Sequence, residues 1–338
     1  MDEQRNSVEP VTVVIPVYNG SRFLGRAVDS VLSCHPAPER ILIVDDGSTD
    51  DSCAIGLSLA ASHPGRVQCI RSPDGRNRGV SAARNLGILA AGTAWIAFLD
   101  ADDYYEPFRF EDFSLARQSQ VPFDAIYQTC RMVFENDAEP GDREQCLCGI
   151  VEPVSGAGLM KHLVFSRPWL TAGIVVRREM LLRAGLFEES LSMGEDCHLW
   201  MRLACIAVII PGNLERPVAA YARHAGNTTA HPPRERDYAI RLATDSLRWA
   251  RRRTDLREHA LRDLCHAYEA LLVDGLMTMR QRRQRGLAWR VVRSAVPAHP
   301  VLVFRWAFLR QLQALLRESL GLGEPPVVPR TEERRLVV

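Results

Sequence analysis

The first hundred residues alternate between short apolar runs and segments with a helical repeat. Four runs of mostly apolar residues predict buried strands, at 11–16, 41–44, 67–70 and 95–99. The segments between them predict helices, at 24–32, from Ser48 towards Ser62, and at 80–91. Strands that alternate with helices are typical of an α/β protein. The pattern therefore predicts a mostly parallel central sheet flanked by helices on both faces.

The pattern changes along the rest of the chain. Residues 104–165 are less regular, and a strand at 174–176 and a helix at 178–184 follow them. From 236 to 320 apolar residues recur with a helical period, and no strand is predicted. The final stretch, GEPPVVPRTEERRLVV, is polar and proline-rich, which is typical of a mobile tail. We therefore predict an α/β domain, a helical region and a tail, at 1–231, 232–320 and 321–338.

Polar clusters follow three of the predicted strands. They are PVYN from Pro16, DDGS from Asp45 and DADD from Asp100. In open parallel sheets, ligands bind outside the carboxyl ends of the strands. The positions of these clusters therefore predict a binding site at that edge of the sheet.

The DADD cluster places three carboxylates within four positions, those of Asp100, Asp102 and Asp103. Two like charges about 4 Å apart repel by roughly 1 kcal/mol in water and about 4 kcal/mol near a protein surface. A Mg²⁺ or Mn²⁺ ion with oxygen ligands would remove this repulsion, and it needs few protein ligands where substrate phosphates provide the others. The alternative is a solvated turn whose aspartates cap a following helix.

Two further clusters have both a structural and a functional interpretation. The residue types of DDGS at 45–48 favour a turn and a helix N-cap, but a carboxylate there can also accept hydrogen bonds from a base or a ribose. The helix predicted from Val80 presents N–H groups and a positive dipole to an anion. Arg84, one turn further, is suited to fork onto a diphosphate, unless it is simply solvated.

Two clusters near the end of the α/β region remain ambiguous in the same way. In GED, Glu195 and Asp196 either cap a helix that begins at Cys197, worth about 1 kcal/mol, or provide a general base beside the nucleotide. Further on, Arg223 and His224 form a basic pair. A lone histidine is more often structural or exposed than a ligand.

Composition narrows the classes of function. The chain has 338 residues, 46% hydrophobic and 25% charged, with a net charge of +1, so whole-chain charge does not suggest a nucleic-acid partner. Nine cysteines, an odd number without a C-x-x-C pair, indicate a reducing compartment. The opening MDEQRNSVEP is unlike a signal peptide, and no run of 18 uncharged apolar residues predicts a spanning helix. We therefore expect a cytoplasmic protein that does not bind nucleic acid.

The predicted helical region is strongly basic. Residues 232–320 carry eighteen arginines against nine acidic residues, and 275–317 carry nine arginines and no acidic residue, with Trp289, Phe304 and Phe308 interleaved. Two interpretations stay open. The helices either pack on the α/β domain or on a second copy of the chain, or they contact the inner face of a membrane peripherally through apolar and arginine side chains.

Taken in order, the motifs resemble those of family-2 glycosyltransferases, which have the Rossmann-like GT-A fold. The set is strand-P-x-Y-N, VDDGSTD, N-x-G-x-S-x-A-R-N, FLDADD, GED and R-H-x-x-N, and it spans residues 11–229. Each motif is modest, but the ordered set is specific. The resemblance ends near residue 232 and implies nothing about the C-terminal helices.

The resemblance implies roles for single residues. In the family, the positions of Pro16, Tyr18 and Asp46 hold the nucleoside of the donor, and the position of Arg84 approaches its diphosphate. The carboxylate of Asp196 matches the catalytic base.

The remaining assignments concern the metal, expected to be Mn²⁺ or Mg²⁺. Asp100 begins the D-x-D motif and is assigned to the donor site, Asp102 lies where the metal-binding aspartate lies, and Asp103 stays open as an alternative or additional ligand. His224 matches a position that in some members completes the metal site, and Arg223 beside it is assigned to the donor site.

The implied activity is transfer of a sugar from a nucleotide diphosphate sugar, with UDP as the first expectation, to a hydroxyl of a saccharide or lipid-linked acceptor, with inversion at the anomeric carbon. The loops of 104–170 are expected to shape the acceptor site, where Trp169 either stacks on a sugar or packs in the core.

Three other classes of protein fit the sequence less well. A nucleotidyltransferase would have a glycine-rich loop with Arg and Lys where this chain has PVYNG, and a dehydrogenase would have G-x-G-x-x-G there. A sugar-nucleotide-binding relative without catalysis would have lost the D-x-D motif or the base, and both remain.

Overall fold

The computed structural model of the protein describes residues 10–119, 121–134, 147–165, 169–223 and 235–320. Within these ranges the strands are β1 (Val11–Val17), β2 (Arg40–Asp45), β3 (Val67–Arg71), β4 (Trp95–Phe98), β5 (Tyr104–Tyr105), β6 (Ala125–Tyr127), β7 (Cys130–Phe134), β8 (Leu147–Cys148), β9 (Ile174–Arg177), β10 (Ile209–Pro211) and β11 (Ala219–Arg223). The helices are α1 (Ser21–Leu32), α2 (Ser52–Ser62), α3 (Val80–Ala90), α4 (Glu111–Gln118), α5 (Gly156–Phe165), α6 (Arg178–Ala184), α7 (Glu195–Ile206), α8 (Glu235–Ala250), α9 (Ala260–Gln281), α10 (Arg285–Ala298) and α11 (Trp306–Ser319). Two short 3₁₀ helices cover Thr171–Gly173 and Pro300–Phe304.

Seven strands form the central sheet, in the order β10-β6-β9-β4-β1-β2-β3. Strand β9 is antiparallel to its neighbours β4 and β6, and every other neighbouring pair in this sheet is parallel. The register places Val14 of β1 between Leu42 of β2 and Phe98 of β4. The prediction of an α/β fold with a mostly parallel sheet flanked by helices is therefore confirmed.

Both faces of this sheet are covered, which explains why its central strands are apolar throughout. All seven residues of β1 are buried. Val14 belongs to the apolar cluster shared with Ile88 of α3, and its neighbour Val13 belongs to the cluster shared with Leu24 of α1. Strands buried on both faces have near-continuous apolar runs rather than an alternating pattern. Strands β1, β2 and β4 thus lie between two apolar cores, whereas β3 forms the edge of the sheet and is partly exposed.

A second sheet combines three strands from the region that the sequence left irregular with β11, which comes much later in the chain. Its order is β5-β11-β7-β8, with β11 antiparallel to β5 and parallel to β7. Strands β5 and β8 have two residues each, too few for an alternating pattern to be detected. Because β5 begins at Tyr104, directly after the DADD cluster, its pairing with β11 brings the end of β11 to that cluster.

Helices α8 to α11 lie on the same side of the central sheet as α3 and pack on α5, α7 and one another. Their apolar side chains, among them Leu264, Leu272 and Phe308, belong to one cluster with Trp200 of α7 and Val14 of β1. None of the described helices combines the length and apolar character that a membrane crossing needs. The predicted boundary at 231 and the predicted tail at 321–338 lie outside the described residues.

Candidate functional site

The loops after β1 and β2 are joined at the carboxyl edge of the sheet by Asn19. Its backbone N–H donates to Ser48 Oγ at 3.0 Å, and its side-chain Oδ1 accepts from the Thr49 N–H at 2.8 Å. Asn19 has a φ of 51°, in the left-handed region that asparagine tolerates better than most residues. The PVYN and DDGS clusters therefore form one continuous surface, as their positions after neighbouring strands predicted.

Asp46 attaches a third loop, the one between β3 and α3. Its carboxylate is buried and accepts hydrogen bonds from Ser72 Oγ at 2.8 Å, from the Arg78 N–H at 3.1 Å and from the Gly79 N–H at 2.8 Å. Gly47 beside it has a φ of 74°, and a Cβ there would lie 2.6 Å from the Arg76 backbone, so only glycine fits. Asp46 thus shapes the loop before α3, and its direct contact with a nucleoside remains a prediction.

Two residues assigned to the nucleoside differ in their accessibility. Pro16 is buried within β1, in register with Val44 of β2. Tyr18, just beyond the end of the strand, is 47% exposed. An aromatic side chain at the edge of a binding surface can stack on a base, so Tyr18 is the residue of this pair whose side chain is available for such a contact.

Arg84 connects the loop after β4 to the first turn of α7. Its side chain is only 4% exposed, and its terminal nitrogens donate to Asp100 Oδ1 at 2.7 Å and to Glu195 Oε1 at 2.8 Å. Burial alone would lower the pKa of Arg84, but the charges of Asp100 and Glu195 outweigh it and raise the pKa. Each terminal nitrogen thus donates to one carboxylate, while the buried Nε has no partner within the described residues. Arg84 therefore holds the DADD loop to the first turn of α7, and its predicted fork onto a diphosphate stays a prediction.

Glu195 is the site residue whose partner the sequence did not identify. The GED motif pointed to a carboxylate near the nucleotide, but Arg84 lies 111 residues earlier in the chain. The helix predicted to begin at Cys197 is also corrected, because α7 begins at Glu195 and its N-cap is Gly194. Glu195 and Asp196 therefore lie inside the first turn, where the helix dipole stabilises negative charge, rather than at the cap.

Asp196 is half-buried at the same end of α7. Its Oδ1 accepts from the Cys197 N–H at 2.6 Å. Burial and the neighbouring Glu195 raise the pKa of Asp196 to about 6, while the Cys197 N–H and Arg84 act in the opposite direction. A carboxylate with a pKa near neutrality is a more effective proton acceptor than an ordinary aspartate and is still ionised at pH 7.

The remaining aspartates of the DADD cluster have different surroundings. Asp103 is 3% exposed, and its Oδ1 accepts from the Ala222 N–H of β11 at 2.9 Å. Burial, together with the charges of Asp100 and Asp102, raises the pKa of Asp103 well above its ordinary value. Asp102 is half-buried, and its backbone carbonyl accepts from Arg26 at 2.6 Å. The loop is thus anchored through Asp103, and Asp102 is the more accessible carboxylate of the two.

The donor-site assignments at the end of β11 are only partly within the described structure. Arg223 is the last residue of β11 and follows Ala222, the partner of Asp103, so its backbone lies beside the DADD loop. His224 lies outside the described residues. Trp169 is fully buried and stacks on Tyr127 with the ring centroids 4.9 Å apart, so of its two interpretations the structure supports packing in the core.

The Arg84 bridge makes a prediction about stability. Arg84→Met is expected to lower the free energy of unfolding by about 3 kcal/mol, because removal of one partner of a buried ion pair leaves the other charges uncompensated. The estimate is at the low end for such pairs because Asp100 is partly exposed and keeps part of its hydration. Urea denaturation followed by circular dichroism measures the change.

The matched control is Arg216→Met. Arg216 forms an ion pair with Glu111 at 2.8 Å, and both side chains are about half-exposed. Exposed pairs contribute about 0–1 kcal/mol, so this variant is expected to stay within 1 kcal/mol of the unmodified protein. Equal effects of the two substitutions would show that the Arg84 pairs do not stabilise the fold.

Comparison with protein families identifies the family to which the chain belongs. The family model described as "Glycosyl transferase family 2" matches residues 12–167, which contain the PVYN, DDGS, Arg84 and DADD segments. The chain is also 31% identical over 205 residues to the succinoglycan biosynthesis protein ExoU of Rhizobium meliloti (strain 1021), covering 57% of this chain and 56% of that protein. The chain belongs to glycosyl transferase family 2. It spans only part of the length of the curated relatives that it matches, from 10% of the hyaluronan synthase of Pasteurella multocida to 56% of ExoU.

Solved structures of glycosyltransferases share the fold of this family member. Residues 1–349 of S. aureus TarS in complex with UDP-GlcNAc superpose with a TM-score of 0.59 at 14% identity, over 94% of this chain and 93% of that one. The mannosyltransferase PcManGT of Pyrobaculum calidifontis, in complex with GDP-Man and Mn²⁺, superposes with a TM-score of 0.54 at 17% identity, over 94% of this chain and 87% of that one. The fold is therefore GT-A, as the motif resemblance implied.

Proposed function

We propose that this glycosyltransferase is a metal-dependent, inverting enzyme that transfers a sugar from a nucleotide diphosphate sugar to a hydroxyl group. The Arg84 bridge carries the proposal. Through its bonds of 2.7 Å to Asp100 and 2.8 Å to Glu195, it holds the DADD loop and the GED turn against one guanidinium group. A single displacement needs the diphosphate on one side of the anomeric carbon and the base on the other, so these two loops must be neighbours.

The proposed donor site starts at the nucleoside end. Tyr18 is exposed there for stacking on a base, and the loop that Asp46 shapes lies beside it. A UDP-sugar is the first candidate, supported by the UDP-GlcNAc complex of TarS, whereas the GDP-Man complex of PcManGT shows that the same fold also accepts a purine nucleotide.

The proposed metal ligand is Asp102, with Asp103 as an alternative or additional ligand and His224, which lies outside the described residues, as a further candidate. Arg223, the last residue of β11, is proposed to contact the donor. Within the described residues, no three His, Cys, Asp or Glu side chains converge on one point, so the donor phosphates and water would provide most of the ligands. The donor set fits a hard cation, because Asp102 adds an accessible carboxylate oxygen to a loop already crowded with negative charge. When bound, Mn²⁺ or Mg²⁺ would neutralise the charge that develops on the departing nucleotide diphosphate.

The proposed base is Asp196. With a pKa raised to about 6 it is ionised at pH 7, and it can take the proton of the acceptor hydroxyl as the new glycosidic bond forms. Attack from the side opposite the leaving diphosphate gives a product of inverted anomeric configuration. Arg84 acts as a positioning residue, because it orients Asp100 and Glu195 and lies close to Asp196.

The proposed acceptor is a saccharide or a lipid-linked saccharide, and the proposed location is the cytoplasm. The name of ExoU, a succinoglycan biosynthesis protein, supports a role in polysaccharide synthesis. The helix α5 and strands β6 to β8 belong to the 104–170 region in which the acceptor site was expected.

A donor panel tests the function. The purified protein is incubated with UDP-, GDP- and dTDP-sugars and Mn²⁺, and release of nucleotide diphosphate is followed by mass spectrometry with and without oligosaccharide acceptors. One nucleotide class is expected to be consumed by the unmodified protein and to be left intact by Asp196→Asn. Nucleotide binding without any consumption across the panel would identify a binding protein and overturn the proposal, as would release of a nucleoside monophosphate.

A further inference from the structure

The turn between α10 and α11 exposes the most accessible large apolar side chain of the described structure. Phe304 is 82% exposed and Val301, in the same 3₁₀ helix, is 48% exposed, and we call these two residues the apolar tip. Leu302 between them is buried and fixes the turn to the core. The tip is therefore a rigidly attached feature and not the frayed end of a helix.

Arginines lead to this tip along one face of α10. Gly286, Arg290, Arg293 and Pro297 are all exposed, and their spacing of four, three and four residues places them on one side of the helix. We call Arg290 and Arg293 the basic stripe. Neither forms an ion pair with any other residue in the described part of the chain. The exposed face of α10 continues from the stripe to Pro297, three residues before the 3₁₀ helix that carries the tip.

The acidic residues that bond to this part of the chain are already paired. Residues 275–317 contain none, and Glu318 binds Arg280 at 2.6 Å. Glu269 accepts from His299 at 2.9 Å and from Arg305 at 3.1 Å. The surface formed by the tip and the stripe therefore combines exposed apolar groups with uncompensated positive charge.

We propose that the apolar tip and the basic stripe form a peripheral docking surface for an anionic lipid bilayer. The side chains of Val301 and Phe304 insert at the level of the headgroups, and Arg290 and Arg293 reach the lipid phosphates beside them. Basic residues near such a membrane surface each add to binding, and the attraction falls within a Debye length as salt is added. This surface is independent of the glycosyl-transfer site, so binding is measured without any donor or acceptor.

Charge distinguishes the bilayer from a second copy of the chain. A two-fold dimer through this surface would bring the arginine stripe of one copy against that of the other or close to it, because such an interface is self-complementary. Like charges at close range repel, whereas lipid phosphates attract them. The bilayer is therefore the partner whose chemistry complements both parts of the surface.

Flotation with vesicles tests the proposal. The full chain is mixed with vesicles of phosphatidylcholine alone or with phosphatidylglycerol, at low and high salt. We expect flotation with the anionic vesicles at low salt, little with the neutral ones, and loss at high salt. Phe304→Ser is expected to weaken partitioning about ten-fold, and Arg290→Gln with Arg293→Gln about thirty-fold, or roughly five-fold for each arginine.

Matched controls separate this surface from general stickiness. Leu115→Ser removes another apolar side chain, 62% exposed on α4, and Arg40→Gln with Arg252→Gln removes the same charge from exposed positions elsewhere. Both are expected to float like the unmodified protein. Equal losses in the controls, or no flotation with anionic vesicles at low salt, would overturn the proposal. So would a dimer detected by light scattering that Phe304→Ser dissociates, because it would assign the tip to a second copy.

Discussion

Asp196→Asn is expected to lower kcat by about two to four orders of magnitude, because the amide cannot accept the proton of the acceptor hydroxyl. Nucleotide-sugar affinity is expected to change little, since the side chain of Asp196 is proposed to face the acceptor rather than the donor. Steady-state kinetics give kcat, and calorimetry with the nucleotide gives the affinity. The hydrogen bond from the Cys197 N–H to Oδ1, now 2.6 Å long, can be kept by the amide oxygen of asparagine.

A control for this substitution must remove one charge from the first turn of a helix without touching the site. Asp263→Asn does so in α9, where Asp263 is half-buried like Asp196 and lies in the first turn. Its kcat is expected to equal that of the unmodified protein. The thermal midpoints of both variants show how much of each protein is folded. If the loss of turnover in Asp196→Asn only matched its loss of folded protein, Asp196 would be a structural residue and not the base.

The pH dependence of the reaction follows from the same residue. Burial and Glu195 raise the pKa of Asp196 to about 6, so the carboxylate becomes protonated, and unable to act as a base, as the pH falls through that value. Turnover is therefore expected to rise with pH through about 6 and then level off. The profile of kcat against pH should lose this rise in Asp196→Asn. A flat profile of the unmodified protein between pH 5 and 8, where Asp196 is expected to titrate, would exclude Asp196 as the group that limits the rate.

The sequence predicted the part of the fold that depends on local pattern. Strands β1, β2 and β4 are buried on both faces and read as apolar runs, whereas β3 lies at the edge of the sheet and is partly exposed. Polar clusters follow β1, β2 and β4, and the clusters after β1 and β2 are bonded to each other. Short elements were not predicted. Strand β5 has two residues and forms because it pairs with β11, more than 110 residues later in the chain. A local hydrophobic pattern contains no information about such a distant pairing.

The candidate site shows the same limit. Sequence identified Arg84, Asp100 and Glu195 as separate polar positions, each with a structural alternative, which was a solvated residue, a solvated turn and a helix cap respectively. What makes them one site is a pair of contacts across 16 and 111 residues of chain, to Asp100 and Glu195 respectively. These carboxylates accept from two of the five N–H groups of the guanidinium, and the buried Nε of Arg84 has no partner within the described residues, so its contact with the diphosphate stays a prediction. The order of the motifs indicated which segments meet, but only the structure identifies the residue that each side chain contacts.

The second large effect is expected from the metal loop. Asp102→Asn should reduce turnover at least about a hundred-fold, because a neutral amide is a weaker ligand and loss of several kcal/mol of charge stabilisation at the leaving diphosphate corresponds to more than two factors of ten. The chelator EDTA should abolish the activity of the unmodified protein, and Mn²⁺ or Mg²⁺ should restore it. Electron paramagnetic resonance measures the binding of Mn²⁺ in the presence of the nucleotide diphosphate and does not depend on catalysis. This binding should be weaker in the variant.

Asp103→Asn is the comparison that assigns the ligand. The side chain of Asp103 is buried and accepts from the Ala222 N–H at 2.9 Å, a bond that the amide oxygen of asparagine can keep, so the loop should stay anchored to β11. We therefore expect Asp103→Asn to retain at least ten-fold more activity, and tighter Mn²⁺ binding, than Asp102→Asn. The opposite order would assign the metal to Asp103. Full activity of both variants in EDTA would exclude a metal from the mechanism. Arg84 and Arg223, at the end of β11, would then be the candidates to neutralise the diphosphate.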